Sequence, residues 1–198
     1  FGIDIDPDTI PFDDPEIFKL MGSGHTAGVF QVESAGMTAT IKNMKPTEYK
    51  HVVALIALYR PGPLGAGMVS SYINRMNGKE PAVSYDDRLD DILGETYGTM
   101  VYQEQVMQIV RDLAGYSYGR SDQVRRAMSK KKADVMEKEK NYFIYGNEEI
   151  GVEGCIKRGI PEEVAIKIFD DMTDFAKYAF NKSHAAAYAV VSYQTAYL

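Results

Sequence analysis

Cationic side chains crowded into one short segment are the feature of this sequence best equipped for chemistry. Between Arg120 and Lys132 stand six basic residues, Arg120, Arg125, Arg126, Lys130, Lys131 and Lys132, against one acid, Asp122. Ammonium and guanidinium groups at that density attract anions, and arginine adds a planar fork of donors that matches phosphate. On a helix, Val124, Ala127 and Met128 face a core while Arg126 and Lys130 stack one turn apart, flanked by Arg125 and Lys131. Such a cluster suits a triphosphate or a nucleic-acid backbone. An ordinary solvated helix face has the same composition.

Two further stretches point the same way. In Tyr59-Arg60-Pro61-Gly62-Pro63-Leu64, an arginine closes an apolar helix and a rigid turn follows, so its guanidinium is held in one direction. The alternative is a helix-capping arginine that answers the C-terminal dipole. In Phe180-Asn181-Lys182-Ser183-His184-Ala185, Ser183 is the expected N-cap of a final helix. A helix start presents unpaired N–H groups to an anion, Lys182 adds charge, and Asn181 and His184 add directed donors. A plain helix–helix linker with a serine cap is the competing reading.

Other chemistries fail. Asp4-Ile5-Asp6 has metal-binding spacing but sits in a Pro- and Asp-rich start without an apolar strand, so it reads as a solvated connector. Gly22-Ser-Gly24-His-Thr-Ala-Gly28 is one residue too long for a dinucleotide fingerprint and follows no strand. No phosphate loop of the GxxxxGK[ST] type occurs, and neither Ser34 nor Ser183 stands in a nucleophile elbow. One cysteine, Cys155, and three scattered histidines exclude a disulfide framework, a multi-cysteine zinc site and an HExxH site. No metal-ligand set and no complete catalytic set emerges.

The elements that must carry these residues read as helices. Residues 14–21 form a short helix capped by Asp14 with Pro15 at its first position. Residues 33–44 place Met37, Ile41 and Met44 on one stripe, and residues 47–59 start at Thr47 and end abruptly at Pro61-Gly62-Pro63. Residues 65–98 give a short helix over 68–76 and a long loop. Residues 101–113 carry Tyr102, Val106, Ile109, Val110 and Leu113 on one face and stop at Gly115. A helix over 121–139 starts at Ser121 or Asp122 and breaks near Ser129, and 161–179 starts at Pro161 with the stripe Val164, Ile168, Met172, Phe175, Ala179. No stretch alternates as a strand does, so the fold class is mostly α, multi-helical with long loops and little or no sheet.

Composition agrees. The 198 residues are 45% hydrophobic and 25% charged, enough for a real core, and no apolar run approaches a membrane span. Net charge is −6, yet the segment 120–132 carries +5, leaving −11 elsewhere, so a generic nucleic-acid binder is disfavoured and the one basic patch is a candidate anion site. The absence of a signal peptide and the single cysteine indicate a reducing, cytoplasmic setting. The chain opens on Phe1 and stops inside the apolar run VVSYQTAYL, as expected of a piece of a longer protein.

Six strings together resemble a known family. They are Gly28-Val-Phe-Gln-Val-Glu-Ser-Ala-Gly-Met37, Ala57-Leu-Tyr-Arg-Pro-Gly-Pro-Leu64, Tyr102-Gln-Glu-Gln-Val-Met107, Arg125-Arg-Ala-Met-Ser-Lys-Lys131, Phe180-Asn-Lys-Ser-His-Ala-Ala-Ala-Tyr188 and Ser192-Tyr-Gln-Thr-Ala-Tyr-Leu198. In order and spacing they resemble the fingers region of the alpha subunit of bacterial DNA polymerase III, the C-family replicative polymerases. The resemblance implies a helical fingers domain over 16–198, with residues 1–15 as a connector from a palm absent from this chain. It implies DNA-directed nucleotidyl transfer by the whole protein, with Mg²⁺ held by palm aspartates outside this segment and the fragment inactive alone. Its implied partners are primer-template DNA, deoxynucleoside triphosphates, the rest of the polymerase chain and replisome subunits reached through other regions, with no membrane. Its implied nucleotide- and DNA-contacting residues are Arg60, Arg125, Arg126, Lys130, Lys131, Asn181, Lys182, Ser183 and His184. Two alternatives stand beside it: a non-enzymatic nucleic-acid-binding helical module, and a structural adaptor whose basic motifs are only caps and solvated faces.

Overall fold

The computed structural model describes residues 5–83, 85–130 and 133–198. Among them stand eleven α-helices: α1 (Pro15–Ser23), α2 (Ala35–Met44), α3 (Tyr49–Leu58), α4 (Pro61–Gly65), α5 (Met68–Met76), α6 (Asp87–Leu93), α7 (Gln103–Ala114), α8 (Tyr118–Ser129), α9 (Ala133–Tyr145), α10 (Glu162–Ala176) and α11 (Lys182–Tyr197). The described residues form no sheet; two isolated bridges, Tyr102 with Phe180 and Asn147 with Val152, are the strand-like pairings they contain. The mostly α expectation holds, and none of the described helices is long and apolar enough to cross a membrane.

The chain divides into two compact units, one of residues 1–77 with 182–198 and one of 78–181. In the first unit, local signals act as expected. The Asp14 carboxylate accepts the Glu16 N–H at 2.9 Å with Pro15 at the first helical position, and Gly24 closes α1 at φ 87°. Ser34 caps α2, which buries Met37, Ile41 and Met44. Helix α3 starts at Tyr49 rather than Thr47, because the buried His51 ring turns back and its Nδ1 accepts the N–H groups of Thr47 (3.1 Å) and Glu48 (3.2 Å). Helix α11 lays the small side chains Ala185, Ala189 and Ala196 against this core and buries Tyr193 among Phe12 and Phe18. The Tyr193 hydroxyl accepts the Asp14 N–H at 2.9 Å, tying α11 to the start of α1.

The second unit packs α6 through α10. The expected long loop over 65–98 is corrected: after α5 the chain forms α6, whose Leu89, Ile92 and Leu93 are buried, and then a short 3-10 turn over Gly94–Thr96. Helix α8 starts at Tyr118, earlier than Ser121 or Asp122, because Ser117 supplies the cap and accepts the Arg120 N–H. Its end at Ser129 and the restart of α9 at Ala133 match the expected break. Helix α10 follows Pro161 and buries Ile168, Phe169, Met172 and Phe175, with Phe169 and Phe143 of α9 in ring contact at 5.5 Å. Gly146 (φ 85°) and Gly154 (φ 84°) fold the α9–α10 connection so tightly that a β-carbon on either would lie 2.3 Å from backbone of the other's segment.

Candidate functional site

The first turn of α7 is where the second unit gathers its candidate residues. A buried glutamine prepares that turn: Gln105 Oε1 accepts the N–H groups of Val101 (2.8 Å) and Tyr102 (3.0 Å) while its amide donates to Thr96 Oγ1 at 2.8 Å. Polar atoms buried this deeply hold their geometry because losing a partner is costly. The segment so fixed pairs with the chain before α11. Gln103 N–H donates to the Phe180 carbonyl at 2.9 Å, and Phe180 N–H to the Val101 carbonyl at 3.3 Å. The next residue, Asn181, donates from its amide to Glu104 Oε1 at 2.9 Å.

Arg125 comes to the same turn from α8. Its Nη1 donates to Gln103 Oε1 at 3.1 Å, and its Nε and Nη2 both donate to Asp122 Oδ1, at 2.9 and 2.7 Å. Arg126 donates from Nε to Asp122 Oδ2 at 2.7 Å, and 66% of its side chain is exposed. One carboxylate thus holds two adjacent guanidiniums, and their hydrogen bonds and charge keep its pKa below the usual aspartate value. Lys130, exposed, follows Arg126 by one turn at the end of α8. Val124 and Met128 face the core as expected. Lys131 lies outside the described residues, as do Lys132 and Asp4.

Arg120, counted in the basic cluster, is committed elsewhere. Its guanidinium pairs with the Glu139 carboxylate of α9, whose side chain is 6% exposed and also accepts the Tyr116 hydroxyl at 3.2 Å. Burial pushes the Glu139 carboxyl above its ordinary range and the Tyr116 phenol with it, against the pull of Arg120. This is a fold-holding pair, so the anion-attracting patch is smaller than the sequence count of charges.

In the first unit, Arg60 stands between α3 and α4. Its Nε donates to the Ala57 carbonyl at 2.8 Å, the capping contact that was one of its two readings, and partial burial lowers its pKa. Pro61 does not simply stop a helix: it opens α4, with Arg60 in the position before it. The segment 181–184 spans the boundary of the units. Asn181 belongs to the second, and Lys182, Ser183 and His184 begin α11 in the first. Ser183 is therefore the second residue of α11 rather than its cap, and Asn181 holds the preceding position. His184 is exposed, with its ring 4.4 Å from that of Tyr188, which in turn lies 5.6 Å from Phe30.

The geometry thus brings Arg125, through Gln103, and Asn181, through Glu104, to one helix start in the second unit, with Arg126 beside Arg125 on Asp122 and Lys130 at the end of α8. Gln103, Glu104, Gln105 and Asp122, which hold them, are not among the site residues of the sequence reading. Their partners lie across 22 residues for Gln103 and 77 for Glu104, where no local pattern reports them. The Asp6 carboxylate accepts the Asp8 N–H and so caps a 3-10 turn over Pro7–Thr9. No three metal-ligating side chains converge among the described residues.

Comparison with known proteins adds a second line. The model of the bacterial DNA polymerase III alpha subunit finger domain matches residues 1–151. The chain is 49% identical to the DNA polymerase III subunit alpha of Thermus aquaticus over 203 aligned positions, with all of this chain and 16% of that protein covered. It is 47% identical over its whole length to the corresponding protein of Aquifex aeolicus, again 16% of that protein, and 49% identical over 98% of its length to that of Pasteurella multocida. The chain therefore spans about one-sixth of the length of these relatives.

Proposed function

The chain belongs to the family of bacterial DNA polymerase III alpha subunit finger domains, and we propose on that premise that it is the nucleotide-facing part of a DNA-directed DNA polymerase. In this reading it binds the triphosphate of the incoming deoxynucleotide and the primer-template during templated nucleotidyl transfer. The observation that supports it is the Arg125–Arg126 pair held on Asp122 of α8, with Arg125 reaching Gln103 at the start of α7, where Asn181 meets Glu104.

The chemistry demands such a group. The primer 3′-hydroxyl attacks the α-phosphorus, and pyrophosphate leaves with charge accumulating on the β- and γ-phosphate oxygens. Preorganised cationic donors that meet those oxygens lower the barrier, and they cost little reorganisation because their own contacts already orient them. Arg126 offers an exposed side chain, Arg125 a guanidinium fixed in plane, Lys130 an exposed charge one turn on, and Lys131 extends that run in sequence. Arg60, Lys182, Ser183 and His184 are the remaining proposed contacts.

Mg²⁺ in this reading is held by carboxylates in the rest of the protein. The isolated chain is then catalytically silent, and its partners are DNA, deoxynucleoside triphosphates, the remainder of the polymerase and, through other regions, replisome subunits, in the cytoplasm. The test is steady-state incorporation on a primed template by the full-length protein. Arg125→Ala and Arg126→Ala each lower kcat/KM for nucleotide by roughly 10- to 100-fold, the range for losing one charge-assisted hydrogen bond. Unchanged kcat/KM in both contradicts the proposal.

A further inference from the structure

Arg125 and Arg126 are neighbours in sequence but are held in different ways. Arg126 has its Nε on Asp122 and most of its side chain in solvent. Arg125 is gripped on two edges: Asp122 takes Nε and Nη2, and Gln103, from a different helix, takes Nη1 at 3.1 Å. Two edges fix the plane of a guanidinium, where one leaves it free to swivel. The second grip is chemically specific. Gln103 presents a neutral amide oxygen, so it orients the cation without cancelling its charge. A carboxylate in the same place would orient equally well and neutralise. Gln103 itself is fixed, because its backbone N–H is bonded to Phe180 and it opens the helix whose start Gln105 secures.

We propose that Gln103 is a positioning residue for nucleotide use, aiming the Arg125 guanidinium while preserving its charge. This rests on the reading of Arg125 as a triphosphate contact. Gln103 does not touch the nucleotide; it acts through Arg125.

The experiment is single-nucleotide incorporation by the full-length polymerase carrying Gln103→Leu or Gln103→Glu, each alone and combined with Arg125→Ala or Arg126→Ala. Both single variants raise KM for nucleotide roughly 5- to 10-fold, the scale of one net hydrogen bond, with primer-template affinity at the parent value. Leucine removes the aim, and glutamate keeps it but cancels the charge. A residue that merely propped up the helix would leave the glutamate variant like the parent. In the Arg125→Ala background the Gln103 effect shrinks to within about 2-fold, while beside Arg126→Ala it persists in full. A full Gln103 effect in the absence of Arg125, or a parental KM in Gln103→Glu, overturns the inference. A parental KM in Arg125→Ala alone overturns instead the triphosphate reading on which it rests.

Discussion

Arg126 reaches back one helical turn to set its Nε 2.7 Å from Asp122 Oδ2, while two-thirds of its side chain, 66%, stays in solvent. A guanidinium bonded at Nε on a side chain this exposed can meet an anion while keeping that partner. The same carboxylate serves Arg125, so Asp122 offsets the repulsion between two adjacent cations. Replacing it should loosen both. In the full-length polymerase, Asp122→Ala is expected to raise KM for nucleotide several-fold, the effect of hydrogen bonds lost at two cations. The unfolding midpoint should stay close to the parent's, because partly exposed ion pairs contribute little to stability. Steady-state kinetics and thermal melts on one preparation separate the two effects; a large loss of stability with unchanged KM would reverse the assignment.

Arg120 should behave in the opposite way. Its partner Glu139 is buried, and removing the cation leaves that carboxylate among apolar groups beside Tyr116. Arg120→Ala is expected to destabilise the fold by about 3–5 kcal/mol, as breaking a buried pair does. Adding Glu139→Gln should recover part of the loss, since the uncompensated charge is then gone. Denaturant unfolding of the single and double variants reads both.

His51 gives the fold a pH-dependent arm. The ring accepts two backbone N–H groups on Nδ1 and must be neutral there to do so. Burial, opposed by Glu48 and reinforced by Lys50, lowers its pKa from 6.5 to about 4. The unfolded chain takes up a proton near 6.5 that the folded chain refuses until about 4. Stability from this group is therefore complete above 6.5 and is lost as pH falls toward 4, up to about 3 kcal/mol in all. Urea midpoints taken between pH 7.5 and 5 should fall with acidification, and His51→Gln should flatten that slope.

The turn after α9 permits only glycine at two places. A β-carbon on Gly154 would come 2.3 Å from the Gly146 nitrogen, at a φ of 84° that side chains rarely adopt. Gly154→Ala is expected to cost more than about 2 kcal/mol. The N–H of Gly154 also holds the Ala114 carbonyl at the end of α7, at 3.0 Å, so that junction should lose amide-exchange protection first.

Legibility in the sequence followed the range of the interaction. The Asp14 cap with Pro15, the stripe Met37–Ile41–Met44, the α5 boundaries and the Gly115 stop are all local signals, and the structure shows each of them. Helix α6 was hidden because its seven residues, rich in aspartate, are too short to display a period. The true start of α3 depended on a histidine acting as an acceptor, a role its residue type does not announce. In the candidate site, the run Arg125–Lys131 was visible as charge. Its organisation was not: Arg120 spends its charge on Glu139 nineteen positions away, and Gln103 finds Arg125 across 22. A neutral residue such as Gln103, aiming a cation from another helix, leaves no compositional trace.

On the proposed reading, Arg126 meets the triphosphate of the incoming nucleotide. Single-turnover incorporation by full-length Arg126→Ala polymerase, pre-bound to primed template across a nucleotide titration, measures nucleotide Kd apart from DNA binding and product release. A Kd raised roughly 10- to 100-fold with unchanged primer-template affinity is the predicted result. A parental nucleotide Kd, or a loss confined to primer-template affinity, would contradict it.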